Sequence, residues 1–254
     1  MSEHIRVERE GAVTAIRLAR PEKKNAITTA MYVAMAEAME AAEADETVRV
    51  IVFLGSGGAF AAGNDLKDFL ENPPQDESAP VFRFLTALVA STKPIVAGVD
   101  GVAVGLGTTL LLHCDLVYVT AAARLQTPFV NLGLTPEAGA TYLLPRFLGH
   151  VRAAEMVMLG EALDGEAAVR LGLANALVAA EDLEEKALGA ARTLAAKPPA
   201  SLRATRALLK ANRPQIERAM KAEADEFTVR LRSAEAREAF SAFFEKRQPD
   251  FSKV

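Results

Sequence analysis

One carboxylate stands out chemically because its neighbours are small or apolar: Glu137, in the run 127–141 (TPFVNLGLTPEAGAT). Burial disfavours the charged form of a carboxyl group, so such surroundings raise its pKa toward the range useful for proton transfer at neutral pH. The same position also suits the start of a helix, where the macrodipole favours an acidic side chain. Two glycine-rich turns offer the base a partner. Residues 55–65 (GSGGAFAAGND) and 101–109 (GVAVGLGTT) each lie between an apolar, strand-like run and a helical pattern. Backbone N–H groups at a helix start have no partner inside the helix. One from each turn, those of Asn64 and Leu106, could converge on a single oxygen as an oxyanion hole. Taken alone, these stretches are equally ordinary strand-to-helix turns. Together with Glu137 they could form and quench an enolate.

Other chemistries have little to build on. The three histidines, His4, His113 and His150, show no i, i+4 pairing, and no further ligand follows His113-Cys114 at a metal-site spacing, so no metal site is expected. Cys114 is the single cysteine, which rules out an intrachain disulfide, and beside Leu110, Leu111 and Leu112 it reads as a small buried hydrophobe. No serine occupies a Gly-x-Ser-x-Gly elbow. The second glycine turn falls short of the dinucleotide fingerprint because Leu110 stands where the last glycine belongs. With a formal net charge of -4, no global basic field recruits nucleic acid or an anionic membrane. The most apolar stretch, 101–112, is bracketed by Asp100 and Asp115 and is far shorter than the roughly 20 residues of a membrane span. The first eleven residues are charged and lack an apolar core of the secretory type. A soluble, cytoplasmic protein is the expectation.

The elements that must position Glu137 and the two turns follow from periodicity. Val13, Ile16 and Leu18 mark a half-buried strand, and a turn over 20–24 ends it. Thr28 or Thr29 can cap a helix whose stripe is Met31, Ala34, Met35, Ala38, Met39 and Ala42. The runs 50–54, 94–99 and 116–119 are continuous and apolar, as strands buried on both faces are, and helical patterns at 81–90 and 108–113 separate them. Strands alternating with helices predict an α/β protein with parallel strands. From Val151 onward the chain reads as helix, apart from a short run at 174–178, the break at Pro198-Pro199 and an interruption at Pro214. The division expected is a core of 1–197 and a helical region of 198–254. The segment 71–80 (ENPPQDESAP) reads as a mobile surface loop.

Arg203, Arg206, Lys210 and Arg213 share one helix face, expected to be solvated or, alternatively, to meet phosphates. Asp115 is expected to be a structural hydrogen-bonding residue. Met156, Met158 and the Met31, Met35, Met39 set read as core filler. Phe227, Val229, Leu231, Phe240, Phe243 and Phe244 could pack on this chain's own core or on another subunit.

An ordered set of motifs carries a resemblance that spans nearly the whole chain. It comprises Arg20-Pro21 with Asn25-Ala26, the run 60–67 (FAAGNDLK), the 101–107 turn followed by Cys114-Asp115, Leu143-Leu144-Pro145-Arg146, Gly172-Leu173 and Phe244-Glu245-Lys246-Arg247. This pattern resembles the crotonase (enoyl-CoA hydratase/isomerase) superfamily. The resemblance implies a spiral of ββα units, a helical C-terminal trimerisation region, and a homotrimer or dimer of trimers. It implies an acyl-CoA thioester substrate, with coenzyme A as part of that substrate rather than a separate cofactor. By it, the backbone N–H groups of Asn64 and Leu106 form the oxyanion hole, and substrate and CoA contacts fall on Lys24, Ala26, Ala62, Asp65, Leu66, Lys67, Val104, Pro128, Phe129 and Leu132.

Hydratases of this family use two glutamates, and the corresponding positions here are Thr109 and Phe129. The pattern Pro128–Gly133 followed by Glu137 is instead similar to the Δ3,Δ2-enoyl-CoA isomerases, whose one catalytic glutamate falls at Glu137 and which tolerate a bulky residue at the second oxyanion donor. A 1,3-proton shift through an oxyanion-stabilised enolate needs only that one group. The alternatives are another reaction of the same family, such as hydration, ring-opening isomerisation or dehalogenation, or a non-catalytic acyl-CoA-binding module.

Overall fold

The structure is a computed structural model and describes residues 2–74 and 78–254. Its strands are β1 (Ile5–Glu10), β2 (Val13–Leu18), β3 (Val50–Leu54), β4 (Ile95–Val99), β5 (Val102–Val104), β6 (Leu116–Val119), β7 (Arg124–Gln126), β8 (Leu163–Asp164) and β9 (Ala176–Leu177). The helices are α1 (Thr29–Ala44), α2 (Leu66–Glu71), α3 (Pro80–Ala90), α4 (Leu106–Thr109), α5 (Ala140–Leu148), α6 (His150–Ala154) and α7 (Gly165–Arg170), then α8 (Leu183–Ala195), α9 (Pro199–Leu209), α10 (Arg213–Leu231) and α11 (Ala234–Glu245). Met1 lies outside the described residues, as do residues 75–77 at the centre of the 71–80 segment.

Two sheets form, one of six strands in the order β1-β2-β3-β4-β6-β9 and one of three in the order β5-β7-β8. The chain alternates between them: β4 then β5, β6 then β7, with helices after each pair. This is the α/β spiral of ββα units that the motif order implied. In the larger sheet β2, β3, β4, β6 and β9 are parallel, and only β1 runs antiparallel to its neighbour. β3 shows why the central runs are continuously apolar. Ile51 and Phe53 enter the core shared with α1 and α3, while Val50, Val52 and Leu54 meet Leu183, Ala187 and Ala191 of α8. Both faces are covered, so no residue of the strand can be polar. Full burial of one such side chain is worth about 1.5–3 kcal/mol.

The sequence sign of β1 is slight, because its apolar residues are only Ile5 and Val7 and five of its six residues are exposed. Its ladder to β2, with Ile5 opposite Leu18, holds it instead. At α1 the cap is Thr28, whose hydroxyl accepts from Met31 N at 3.3 Å, whereas the Thr29 hydroxyl donates to Asp68.

Beyond Pro198 the helices fold back on the spiral, and Pro214 starts a helix rather than interrupting one. It sits in the first turn of α10, where no N–H is required of it. The expected solvated face is only half solvated. Arg206 is buried and donates from Nε to Asp115 Oδ2 at 2.7 Å, an oxygen that also accepts from Ile95 N at 2.8 Å. Lys210 reaches the His113 carbonyl, and Arg213 pairs with Glu217. The anion at Asp115 draws two of the four cations inward, and Asp115 itself is structural as expected. Met156 is buried as expected, but Met158 is 65% exposed and fills no core. Phe227 and Phe240 pack on this chain, while Val229, Phe243 and Phe244 remain exposed.

Candidate active site

The two glycine turns lie side by side because the smaller sheet continues into one of them. Phe60 N and Ala61 N donate to Val102 O at 3.1 and 3.0 Å, and Val104 N donates to Ala61 O at 2.8 Å. This close approach requires Gly63: its φ is +81°, and a Cβ there would sit 3.0 Å from the Val104 carbonyl oxygen. Gly105 has φ 54° and ψ -117°, a conformation essentially restricted to glycine. It turns the chain from β5 directly into α4, which Leu106 begins. Among the described residues neither the Asn64 nor the Leu106 N–H meets a protein acceptor. The Asn64 side chain is fixed separately, with the Tyr32 hydroxyl donating to its Oδ1 at 2.5 Å.

Helix α4 also brings Glu137 to these turns. Thr109, fully buried one turn after Leu106, donates its hydroxyl to Glu137 Oε1 at 2.6 Å. Protein crowds the carboxyl while part of the residue faces an open cavity. Desolvation raises the Glu137 pKa from 4.5 to about 7; the Thr109 hydrogen bond pulls it down and the negative charge of Glu223 pushes it up. A carboxyl near 7 can give and take a proton at neutral pH. The turn beneath it is strained: Ala138 has φ 62°, left-handed for a residue with a Cβ, and Gly139 follows at 73°.

Asn64 and Glu137 both line a cavity of about 320 Å³. Its walls are Val81, Phe82, Leu85 and Val89 of α3 and Met220, Ala224 and Phe227 of α10, with Phe69 of α2 between them. Glu217 also lines it but pairs with Arg213 at 2.7 Å and is about half exposed. The cavity therefore offers an apolar sleeve leading to one raised-pKa carboxylate.

The other expected site residues fall into two groups around these turns. Lys24, Ala26, Ala62, Asp65, Leu66 and Lys67 form one, stitched together by Ala62 N to Lys24 O at 2.9 Å and Ile27 N to Gly63 O at 2.8 Å. Within it, Lys24 and Lys67 are exposed. Asp65 is committed to the fold, capping α2 through Lys67 N and Asp68 N and pairing with Arg20 at 2.7 Å. Phe129 and Leu132 belong to the second group, an apolar cluster with Phe69 and Phe227 against which Leu66 of the first group also packs. The Phe129 ring lies about 3.9 Å from where a Gly105 Cβ would stand, and Pro128 precedes it. Val104 presents its carbonyl to Gly63. Of the expected residues only Asn64 and Glu137 line the cavity itself. The α3 and α10 walls went unassigned at the sequence level, although the helical pattern at 81–90 marked one of them. Tyr32, His113 and Glu223 left no sequence signal, since each works through a partner remote in the chain.

Among the described residues no three or more His, Cys, Asp or Glu side chains cluster to hold a metal, and no helix is long and apolar enough to cross a membrane. Two glycine turns whose Asn64 and Leu106 N–H groups carry no protein acceptor, a carboxyl crowded by protein beside them and an apolar sleeve on a ββα spiral are the makeup of a crotonase-fold enzyme. A family model described as Enoyl-CoA hydratase/isomerase matches residues 8–253, and the chain belongs to that family. It is 35% identical to 1,2-epoxyphenylacetyl-CoA isomerase of Escherichia coli (strain K12), with 99% of each chain covered. It is 36% identical to Enoyl-CoA delta isomerase 2 of Rattus norvegicus over 83% of this chain and 55% of that one. Among solved structures, that of Pseudomonas aeruginosa OdaA superposes with a TM-score of 0.92 at 51% identity, covering 95% of this chain and 99% of the other.

Proposed function

We propose that this protein is a Δ3,Δ2-enoyl-CoA isomerase. The observation that carries the reading is the makeup of the site: one raised-pKa carboxylate, Glu137, beside the two turns, with Thr109 and Phe129 standing where a two-carboxylate hydratase has its glutamates. Ionised Glu137 takes a proton from C2 of a 3-enoyl thioester. The electron pair moves to the thioester oxygen, which the Asn64 and Leu106 N–H groups stabilise as an enolate. The same carboxyl then returns the proton to C4 as the enolate collapses, leaving a C2=C3 double bond. Phe129 puts an apolar ring where a hydratase has its second glutamate, and Glu217, the other described carboxylate on the cavity wall, is paired with Arg213. Lys24, Ala26 and the 62–67 segment, outside the cavity apart from Asn64, are suited to the CoA portion, and the sleeve to the acyl chain. Exposed apolar residues such as Leu208, Leu209, Phe243 and Phe244 favour self-association, as a homotrimer or a dimer of trimers.

A second reading, ring-opening isomerisation, draws on the full-length similarity to the Escherichia coli epoxyphenylacetyl-CoA isomerase. The decisive assay offers 3-enoyl-CoA, crotonyl-CoA and 1,2-epoxyphenylacetyl-CoA to wild type and Glu137→Gln. Conversion of the first substrate, little hydration of the second, and a loss of about 10²–10⁴-fold in the variant are expected. Rapid hydration of crotonyl-CoA would sink the single-carboxylate reading. Turnover of the epoxide alone would select the second one.

A further inference from the structure

Glu223, on α10, is buried and 86 residues along the chain from Glu137, yet both of its carboxylate oxygens are spent on the turn that carries the base. Oε2 accepts from Gly139 N at 2.6 Å, and Oε1 accepts from Thr141 N at 2.8 Å and from the Thr141 hydroxyl at 2.5 Å. All three partners donate, so the ionised carboxylate is the form that matches them; burial raises the Glu223 pKa, and these three bonds pull it back down. The strained residue of the turn, Ala138, is clamped from the other side, where His113 Nε2 lies 2.7 Å from its carbonyl. Burial pushes the His113 pKa down to about 4, so the ring is neutral at pH 7 and donates to that carbonyl from Nε2.

We propose that Glu223 is a positioning residue for the base: its carboxylate ties the 138–141 turn to α10 and sets a fixed negative charge behind Glu137. The proposal rests on Glu137 being the catalytic carboxylate. Two left-handed residues in succession are not a conformation that Ala138 and Gly139 hold unaided, and three charge-assisted hydrogen bonds from one anion supply the restraint. α10 also walls the acyl cavity with Met220, Ala224 and Phe227, so one helix carries both the sleeve and the anchor of the base. The groups that face Glu137 are Thr109 from α4, Tyr32 from α1 and Glu223 from α10. Glu217 and Lys221 of α10 line the same cavity. His113 contributes no charge near neutrality, and Glu223 is the group whose charge opposes ionisation of Glu137.

The test follows the Glu137 carboxyl directly, by NMR titration of protein labelled at the glutamate side-chain carboxyls, with Glu137→Gln identifying the resonance. That readout needs no turnover, so it stands apart from the identity of the reaction. In Glu223→Gln the Glu137 midpoint is expected to fall by roughly half a pH unit or more, because a like charge has gone. With a 3-enoyl-CoA substrate, kcat is expected to drop about tenfold or more while KM stays within roughly threefold, the mark of a misplaced base rather than lost binding. Glu223→Asp keeps the charge and shortens the reach, so its midpoint stays near wild type while kcat still falls. If Glu223→Gln fails to fold, Glu223→Asp carries the test alone, and a wild-type kcat in that variant overturns the proposal. An unmoved Glu137 midpoint in folded Glu223→Gln overturns it as well, whatever the enzyme converts.

Discussion

Glu137→Gln should lose activity and gain stability, and the size of the gain follows from the surroundings of the carboxyl. Its pKa rises from 4.5 to about 7 on folding, chiefly through desolvation. Each pH unit between the two values is worth about 1.4 kcal/mol, so the ionised carboxylate costs the fold at most roughly 3.5 kcal/mol. The sign is set by which state binds the proton more tightly. Because the folded pKa is raised, the group costs nothing below pH 4.5; the cost grows as pH rises to about 7 and is full above that. Glutamine keeps the shape and the Thr109 hydrogen bond without the charge. Allowing half the ceiling for relaxation and water in the cavity, the variant should be more stable than wild type at pH 8 by about 1–2 kcal/mol. For a chain of this size that is a rise in Tm of roughly 2–8 °C. Thermal melts of both proteins from pH 4.5 to 8 are the assay. Curves that diverge with rising pH are expected. An equal Tm at both ends of the range, or a variant less stable at pH 8, would refute the assignment of Glu137 as a desolvated carboxylate.

Three further outcomes are expected. Thr109→Val removes the hydroxyl that holds the Glu137 pKa down, so the acid limb of the kcat/KM profile should move to higher pH; a limb that stays in place means the 2.6 Å hydrogen bond does not tune the base. Gly63→Ala forces a side chain into a left-handed residue 3.0 Å from the Val104 carbonyl oxygen, and should cost about 1–3 kcal/mol in denaturant melts together with a kcat loss of about tenfold or more. Ala224→Phe fills the sleeve between α3 and α10, so long-chain 3-enoyl-CoA should lose at least about tenfold in kcat/KM while a four-carbon substrate is nearly unaffected. An equal loss for both lengths would place the acyl chain elsewhere.

The parts of the molecule governed by local pattern were legible in the chain. Continuous apolar runs at 50–54, 94–99 and 116–119 are strands because both faces of the central sheet are covered, and the methionine stripe of α1 is buried at its helical period. The glycines at 63 and 105 announced turns, since their backbone angles exclude other residues. The resemblance, resting on ordered motifs, carried the family and the position of Glu137.

What the sequence could not determine depends on groups distant along the chain. β1 exists through its ladder to β2, with only Ile5 and Val7 as an apolar pattern of its own. Arg206 and Lys210 look like surface cations until the anion of Asp115, 91 residues from Arg206, turns them inward. Glu137 itself, by sequence alone, is a carboxylate that could just as well begin a helix. Desolvation by the packed protein and the charge of Glu223 from α10 raise its pKa, the Thr109 hydroxyl from α4 holds it down, and the cavity between α3 and α10 leaves it an open side. Residue types and spacing decide which chemistry is available. Desolvation and charge act through space, so only the folded chain decides which carboxylate has its proton poised near neutrality.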